Sequence, residues 1–377
     1  MVEARRRLKI GVFGGGRGAY LASIVDAHPD AELVAICEGK PEIRAMCKTR
    51  FPDVKYYEDY DEFLKHDMDA VIIANYAHEH ALPAIKAMDL GLHVLSEVMA
   101  CSTLAEGVSL ARAVERNRVV YTYAENYCFF RFTQEMQRVY KSGELGEFQY
   151  GEGEYVHGIT DVVYIAQLRR GDPDHWRNWV PATFYCSHAL GPVIKITGTR
   201  PVKVVGLTSP NRNGRKFGGR GDDCGVIMCQ MSNGAVVKAL QGAGLRREPP
   251  SVWYCIYGTK GCIENNRWPN MEYVNLFLVD DKGTPYQRTY LPEFSYRTEL
   301  SEKIGGHGGS DFYTIDGFIQ CILRGKPNPI DVYEALDMTL PGLLAFRSAY
   351  EGSIPYEVPD FRNEDVRKKY ENDNWSV

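Results

Sequence analysis

The chain has 377 residues, of which 44% are hydrophobic and 25% charged, and its formal net charge is −5. That length suits about two domains with full cores, and the composition is that of a globular protein. The mild negative charge gives no basic footprint for nucleic acid or an anionic membrane surface. No apolar run approaches the ~20 residues that span a bilayer.

Met1–Lys9 is basic but leads straight into an apolar strand rather than a signal-type segment, and the ten cysteines show no C-x-x-C pairing. Both features lead to the expectation of a reducing, cytoplasmic location. Cys37, Cys229, Cys255 and Cys321 lie in apolar patterns and read as small core residues.

Leu8–Phe13 reads as a buried strand that runs into Gly14-Gly15-Gly16-Arg17-Gly18-Ala19. This is G-x-G-x-x-A opening a helix, the dinucleotide-binding form of the turn. Gly14 permits the tight turn, Gly16 lets backbone approach a pyrophosphate, and Ala19 allows close helix–strand packing. Phosphates would sit on the helix N-terminus, where free N–H groups and the dipole favour an anion. A second apolar strand, Leu33–Cys37, ends in Glu38. A carboxylate there accepts hydrogen bonds from both ribose hydroxyls of NAD and repels a 2′-phosphate.

Further strands are expected at 70–74, 92–96 and 119–123, with helices at 17–28, 40–50, 78–90 and 103–116. This alternation predicts a parallel, doubly wound α/β sheet over residues 1–127, with ligand beyond the carboxyl ends of the strands. The residues at those ends are Asn75, Tyr76, Glu97, Val98, Glu125 and Asn126.

From residue 128 to 377 the pattern becomes α+β. A helix at 131–142 precedes strand-like runs at 147–156, 202–208, 225–231, 235–241, 252–257 and 274–279. Helices are expected at 160–170 and 183–197, and two more at 310–324 and 331–350 close the chain. This reads as a large, mostly antiparallel open sheet that serves substrate binding and oligomerisation. Its free face suits burial against a second subunit, as a homodimer or homotetramer.

With these residues in view, the chain resembles the glucose–fructose oxidoreductase / inositol dehydrogenase (Gfo/Idh/MocA) family over nearly its whole length. The resemblance rests on the glycine turn, the segment ANYAHEHALPAIKAMDLGLHVLSEV, Gly146-Glu147 after the 131–142 helix, and Asp331-Val332-Tyr333-Glu334-Ala335. Within that family it is most similar to the NAD-dependent glycosidases of glycoside hydrolase family 109. The shared strings are Gly151-Glu152-Gly153-Glu154-Tyr155-Val156-His157, His175-Trp176-Arg177, Tyr185-Cys186-Ser187-His188-Ala189-Leu190-Gly191-Pro192 and Gly306-His307-Gly308-Gly309-Ser310-Asp311. Many dehydrogenases of the larger family carry Glu-Lys-Pro after the fourth strand. Here the string is Glu97-Val98-Met99, with the Glu-Val of the glycosidases and without their usual proline.

The resemblance implies hydrolysis by transient oxidation. NAD⁺ takes hydride from C3 of a sugar, the ketone acidifies C2, a base removes that proton and the C1 substituent is eliminated. Water then adds at C1, and the hydride returns. It implies His80 on the cofactor side, and Tyr155 and His188 at the substrate. Tyr155 follows two glycines in a strand, and its phenol, with an ordinary pKa near 10, needs a neighbouring relay to act as a base. His188 lies near a helix start, where an imidazole is useful near neutral pH. His157, two residues from Tyr155, and His307, among four glycines, are further relay candidates. Tyr185 and Arg177, the latter between Trp176 and Trp179, are candidates for substrate oxygens. His78 and His80 are spaced i, i+2, which is poor ligand geometry, and no metal is expected. Arg212, Arg215 and Arg220 lie in a glycine-rich loop, Asn211–Gly225, that reads either as a solvated loop or as a lid over an acidic sugar. Two alternatives stay open: a plain sugar or cyclitol dehydrogenase, and a non-catalytic sugar and NAD sensor.

Overall fold

Two sheets organise the chain in the computed structural model, which describes residues 6–158, 172–247, 249–281, 288–296 and 298–376. Met1–Asn126, Glu299–Leu336 and Phe361–Asn374 form one compact unit. Tyr127–Thr298, Asp337–Asp360 and Trp375–Val377 form the other. The sequence reading placed the C-terminal helices wholly in 128–377, whereas Ser310–Arg324 and Glu364–Tyr370 belong to the first unit.

The first unit holds strands β1 (Leu8–Phe13), β2 (Ala31–Cys37), β3 (Lys55–Tyr57), β4 (Ala70–Ile73), β5 (His93–Ser96) and β6 (Tyr121–Tyr123). Their order is β3-β2-β1-β4-β5-β6 and every pairing is parallel. The central strands are continuous apolar runs because both faces of such a sheet are covered: Ile10, Val12 and Ala70–Ile73 have no solvent exposure. Helices α1 (Gly15–Ala27), α2 (Pro41–Arg50), α3 (Tyr60–Phe63), α4 (Ala81–Asp89) and α5 (Leu104–Asn117) connect the strands. The α5 start is fixed by Thr103, whose Oγ1 accepts from Glu106 N at 3.1 Å, and by Glu106, which reaches back to Ser102 N at 2.7 Å. The helix Ser310–Arg324 is tied to the β1–β2 connection through buried polar groups. Asp316 meets His28 Nε2 at 3.1 Å, and Arg324 meets Asp30 at 2.8 Å.

The second unit holds β7 (Phe148–Val156), β8 (Pro201–Thr208), β9 (Cys224–Met231), β10 (Val236–Gly242), β11 (Ser251–Gly258), β12 (Gly261–Asn265), β13 (Val274–Leu278), β14 (Arg288–Tyr290) and β15 (Tyr356–Glu357). The order is β14-β13-β12-β11-β7-β10-β9-β8-β15, antiparallel except for the central β7–β10 pair. Helices α6 (Arg131–Lys141) and Ser187–Thr197 belong to this unit, the latter against β7 and β11. The opposite face carries Leu207, Met228, Val236, Tyr257 and Phe277, each 38–59% exposed. The expected 183–197 helix divides into a short turn, Ala182–Tyr185, and the helix Ser187–Thr197. The expected 160–170 helix lies outside the described residues.

Cys37, Cys229 and Cys255 are buried, while Cys321 is only half-buried on its helix. No helix among the described residues is long and apolar enough to cross a membrane.

Candidate active site

In the first unit the glycine turn has the geometry that its sequence requires. Gly14 sits at φ 96°, and a Cβ there would overlap the Ala74 carbonyl at the end of β4. α1 starts at Gly15 with no side-chain cap. Gly16 and Gly18 follow in its first turn. Glu38, one residue past β2, accepts from Gly15 N at 2.6 Å and from Lys40 N at 2.8 Å. A carboxylate is thereby held at the mouth of the turn. At the end of β4, Asn75 Oδ1 is buried with no hydrogen-bond partner among the described residues. Tyr76 receives a hydrogen bond from Lys40 Nζ at 2.7 Å. These residues fit a dinucleotide: bare backbone for the phosphates, a carboxylate for ribose hydroxyls, and a buried acceptor at the sheet edge.

Four more candidates meet in a network around the buried Asp311. Arg17 Nε donates to Glu97 at 2.8 Å, and its two terminal nitrogens donate to Asp311 at 3.1 and 2.7 Å. Asn126 Nδ2 donates to Asp311 at 2.8 Å, and His307 Nδ1 lies 2.8 Å from the same carboxylate. The Arg17 guanidinium and His307 hold the Asp311 carboxyl well below the usual carboxylate range, against the opposing effect of burial. Arg17 therefore spends its donors on protein carboxylates. His307 adopts φ 47° between glycines, so its ring is aimed by an unusual backbone. Val98 is buried, and His80 is buried beneath the same region. Its Nδ1 lies 3.0 Å from Met99 O and its Nε2 3.3 Å from Asn75 O. Burial lowers the His80 pKa, favouring the neutral ring.

In the second unit, Tyr155 and His188 come together on β7 and on the first turn of the Ser187–Thr197 helix. Their ring centroids are 4.8 Å apart, edge to face. Tyr127 stacks on His188 at 4.0 Å, and Tyr185 meets it edge-on at 4.7 Å. The Tyr254 hydroxyl donates to the His188 carbonyl. His157 lies 5.9 Å from Tyr155. Trp176 packs on Tyr185 at 5.1 Å, and the Arg177 guanidinium lies over both rings, at 4.3 and 5.1 Å. Among the described residues Arg177 forms no ion pair, and its planar fork is of the kind that binds oxygens in pairs.

The second unit brings together Tyr155, His157, Arg177, Tyr185 and His188, as the sequence leads one to expect, whereas His307, expected with them as a relay and substrate residue, belongs to the first unit, beside Asp311. Sequence reasoning missed Asp311 as the hub of the Arg17 network and Tyr127 as the platform under His188. Asp311 ends the Gly306–Asp311 segment, but its partners Arg17 and Asn126 are distant in sequence. The Asn211–Gly225 loop is anchored by Asp223, which accepts from Arg212, Asn213 and Gly214 N–H groups, each at 2.8 Å. Arg212, Arg215 and Arg220 are exposed. Among the described residues no group of three or more His, Cys, Asp or Glu could hold a metal ion.

Residues 131–368 match the family described as "Glycosyl hydrolase 109, C-terminal domain". The chain belongs to the glycosyl hydrolase 109 family. Residues 8–125 match "Oxidoreductase family, NAD-binding Rossmann fold", the Gfo/Idh/MocA group. A family 109 protein of Solibacter usitatus (strain Ellin6076) is 27% identical, over 94% of this chain and 88% of its own length. One from Bacteroides thetaiotaomicron is 26% identical, over 94% and 84%. Among solved structures, a levoglucosan dehydrogenase in complex with NADH and L-sorbose superposes with a TM-score of 0.78 at 20% identity, covering 95% of this chain and all of the other. A myo-inositol 2-dehydrogenase from Lactobacillus plantarum gives 0.74 at 18%, covering 94% of this chain and 100% of the other. These two likenesses concern the fold. The family 109 membership and the NAD-binding N-terminal domain make this chain an NAD-dependent, sugar-acting enzyme.

Proposed function

We propose that this family 109 protein hydrolyses a glycoside through transient oxidation at C3 of the sugar, elimination across C1–C2, addition of water at C1 and restoration of the C3 alcohol. The observation that carries the reading is the Tyr155–His188 contact, a phenol and an imidazole 4.8 Å apart on a locked strand and helix. NAD, when bound, supplies the reversible oxidation of the C3 alcohol. His188 takes the proton of the C3 hydroxyl. The 3-ketone makes C2–H acidic, and Tyr155 takes that proton as general base, with His157 as a further relay group. The C2–H electron pair forms the C1=C2 bond as the C1–O bond breaks and the leaving oxygen gains a proton. Water then gives its hydroxyl to C1 and a proton to C2. Arg177 and Tyr185 hold sugar oxygens, and an acidic substituent on the sugar suits the Arg177 fork.

Gly14, Gly16, Gly18, Glu38, Asn75, Tyr76 and Asn126 serve the cofactor, while Arg17, Glu97, Val98, His80 and His307 shape its surroundings. Val98 stands where many dehydrogenases of the larger family carry a lysine, and its apolar side chain cannot take the hydroxyl proton. The exposed apolar face of the nine-stranded sheet supports a homo-oligomer, and light scattering that gave a monomer at micromolar concentration would contradict it.

A screen of aryl glycosides with catalytic NAD⁺ tests the reading by following aglycone and NADH together. Aglycone should far exceed NADH, and product formed in deuterium oxide should carry deuterium at C2. Stoichiometric NADH would make the protein a dehydrogenase, and unchanged rates with 3-deoxy glycosides would exclude the oxidative route.

A further inference from the structure

The structure points to Gln241 and Thr183 as a buried polar pair at the substrate side: we propose that they receive one O–H donor beside Tyr155, either a sugar hydroxyl or an ordered water. The inference rests on Tyr155 being the residue at the sugar. Gln241 on β10 is the register partner of Tyr155 on β7, and the strands are parallel, so both side chains stand on the same face of the sheet. On its other side Gln241 is paired with Gly225 of β9. A Cβ on Gly225 would overlap the Thr183 side chain, so Thr183 occupies the space above that glycine. Tyr155, Gln241 and Thr183 thus form a row across three adjacent strands.

Gln241 and Thr183 are 1% and 0% exposed. The Gln241 Nε2 donates to the backbone carbonyl of Tyr185. A carbonyl can only accept, so this bond fixes which way the amide lies and leaves Oε1 as a pure acceptor. Among the described residues neither Gln241 Oε1 nor Thr183 Oγ1 has a hydrogen-bond partner, although both are buried. Buried acceptors are costly to leave unmade, so such a pair beside a candidate base marks a place for a ligand donor. The donor that fits is a hydroxyl, because Oε1 only accepts and Thr183 can accept or give.

The test has two arms. Crystal structures of the NAD-loaded protein, alone and soaked with D-galactose, should show an oxygen within hydrogen-bond reach of Gln241 Oε1. A water there in both structures identifies the donor as structural water, and its replacement by a ring hydroxyl identifies the sugar. Nothing at that place in either structure overturns the proposal. The second arm is kinetic, on 4-nitrophenyl glycosides. Thr183→Val keeps the shape and removes the hydroxyl, and should cost about 3- to 10-fold in kcat/KM, the worth of one neutral hydrogen bond. Thr183→Ser should restore it, and NAD affinity should not move. For a sugar hydroxyl the loss falls in KM and vanishes with the matching deoxy glycoside, whereas for water it falls in kcat with every glycoside. A Thr183→Val enzyme indistinguishable from wild type also overturns the proposal. If no glycoside is turned over, the hydrolytic reading fails, and the crystallographic arm still decides this one.

Discussion

Gly153 of β7 lies directly against the carbonyl of Ala189, the residue after His188. A Cβ on Gly153 would overlap that carbonyl oxygen, and one on Gly151 would reach Val193 Cγ1 at 3.2 Å. The Ser187–Thr197 helix therefore rests on bare strand backbone. That close approach brings Tyr155, two residues along the strand, to the ring of His188. The glycines of the Gly-Glu-Gly-Glu-Tyr string act on the site through spacing, while the intervening glutamates face the other side of the sheet.

Gly153→Ala should therefore behave as a backbone collision rather than a mild overpacking. Ordinary overpacking costs about 1–3 kcal/mol, and this substitution should reach or exceed the upper end because a carbonyl cannot rotate away. Thermal melting should show a lowered transition and turnover should collapse, while NAD titration stays near wild type. A fully active Gly153→Ala protein would show that the helix has freedom to retreat.

Tyr155→Phe removes a phenol and keeps the ring that packs on Tyr127 and His188. Turnover should fall by about 10²–10⁴-fold, the range of positioned acid–base catalysis, with folding and NAD binding intact. The losses from Tyr155→Phe and His188→Ala should not add if the two act as one relay. Near-normal turnover in Tyr155→Phe would mark the residue as packing alone.

Glu38 should make NAD preferred over NADP. Its carboxylate is already turned toward the Gly15 N–H, 2.6 Å away, at the place where a 2′-phosphate would bring two further negative charges. Fluorescence titration of both cofactors measures the preference, and Glu38→Ser should narrow it. Equal or tighter NADP binding by the wild type would refute the assignment.

The fold was legible where local pattern and tertiary role agree. Apolar runs such as Ala70–Ile73, glycine turns and helix periods located the main elements of both units to within a few residues. The strands β3, β12, β14 and β15 escaped; β3, β14 and β15 have only two or three residues, too few to carry a period, and exist only through their neighbours. The paired residues of the site followed the same divide. His157 lies one residue past β7 and two from Tyr155, and Tyr185 and His188 are three residues apart, so these pairs are within reach of local spacing. Tyr127 under His188, Asp311 with Arg17, and Gln241 beside Tyr155 are products of sheet register and helix docking. Single-sequence spacing carries no signal for such distant pairs. The Asn211–Gly225 loop read as an open basic tract because the organising group, Asp223, stands at its end and binds backbone rather than side chains.

His80 should make the stability of the first unit depend on pH. Burial is the largest influence and lowers its pKa, outweighing the Met99 and Asn75 carbonyls and Glu97, which favour the charged ring. The unfolded chain, with an ordinary histidine pKa of about 6.5, then binds a proton more readily than the folded one. Stability is full above that value and falls as the pH drops below it, by at most about 1.4 kcal/mol per pH unit for one proton. Asp222 works in the other direction. Burial pushes its pKa up to about 6, so the folded protein gains protons on it, and stability, as the pH falls through that range. The two effects are separable only by difference. Urea denaturation of wild type and His80→Gln at pH 5, 6 and 7 should show the variant losing less stability on acidification, because a neutral amide can still donate to the Met99 carbonyl without taking up a proton. Parallel slopes for the two proteins would place the acid sensitivity elsewhere and leave His80 as a packing residue.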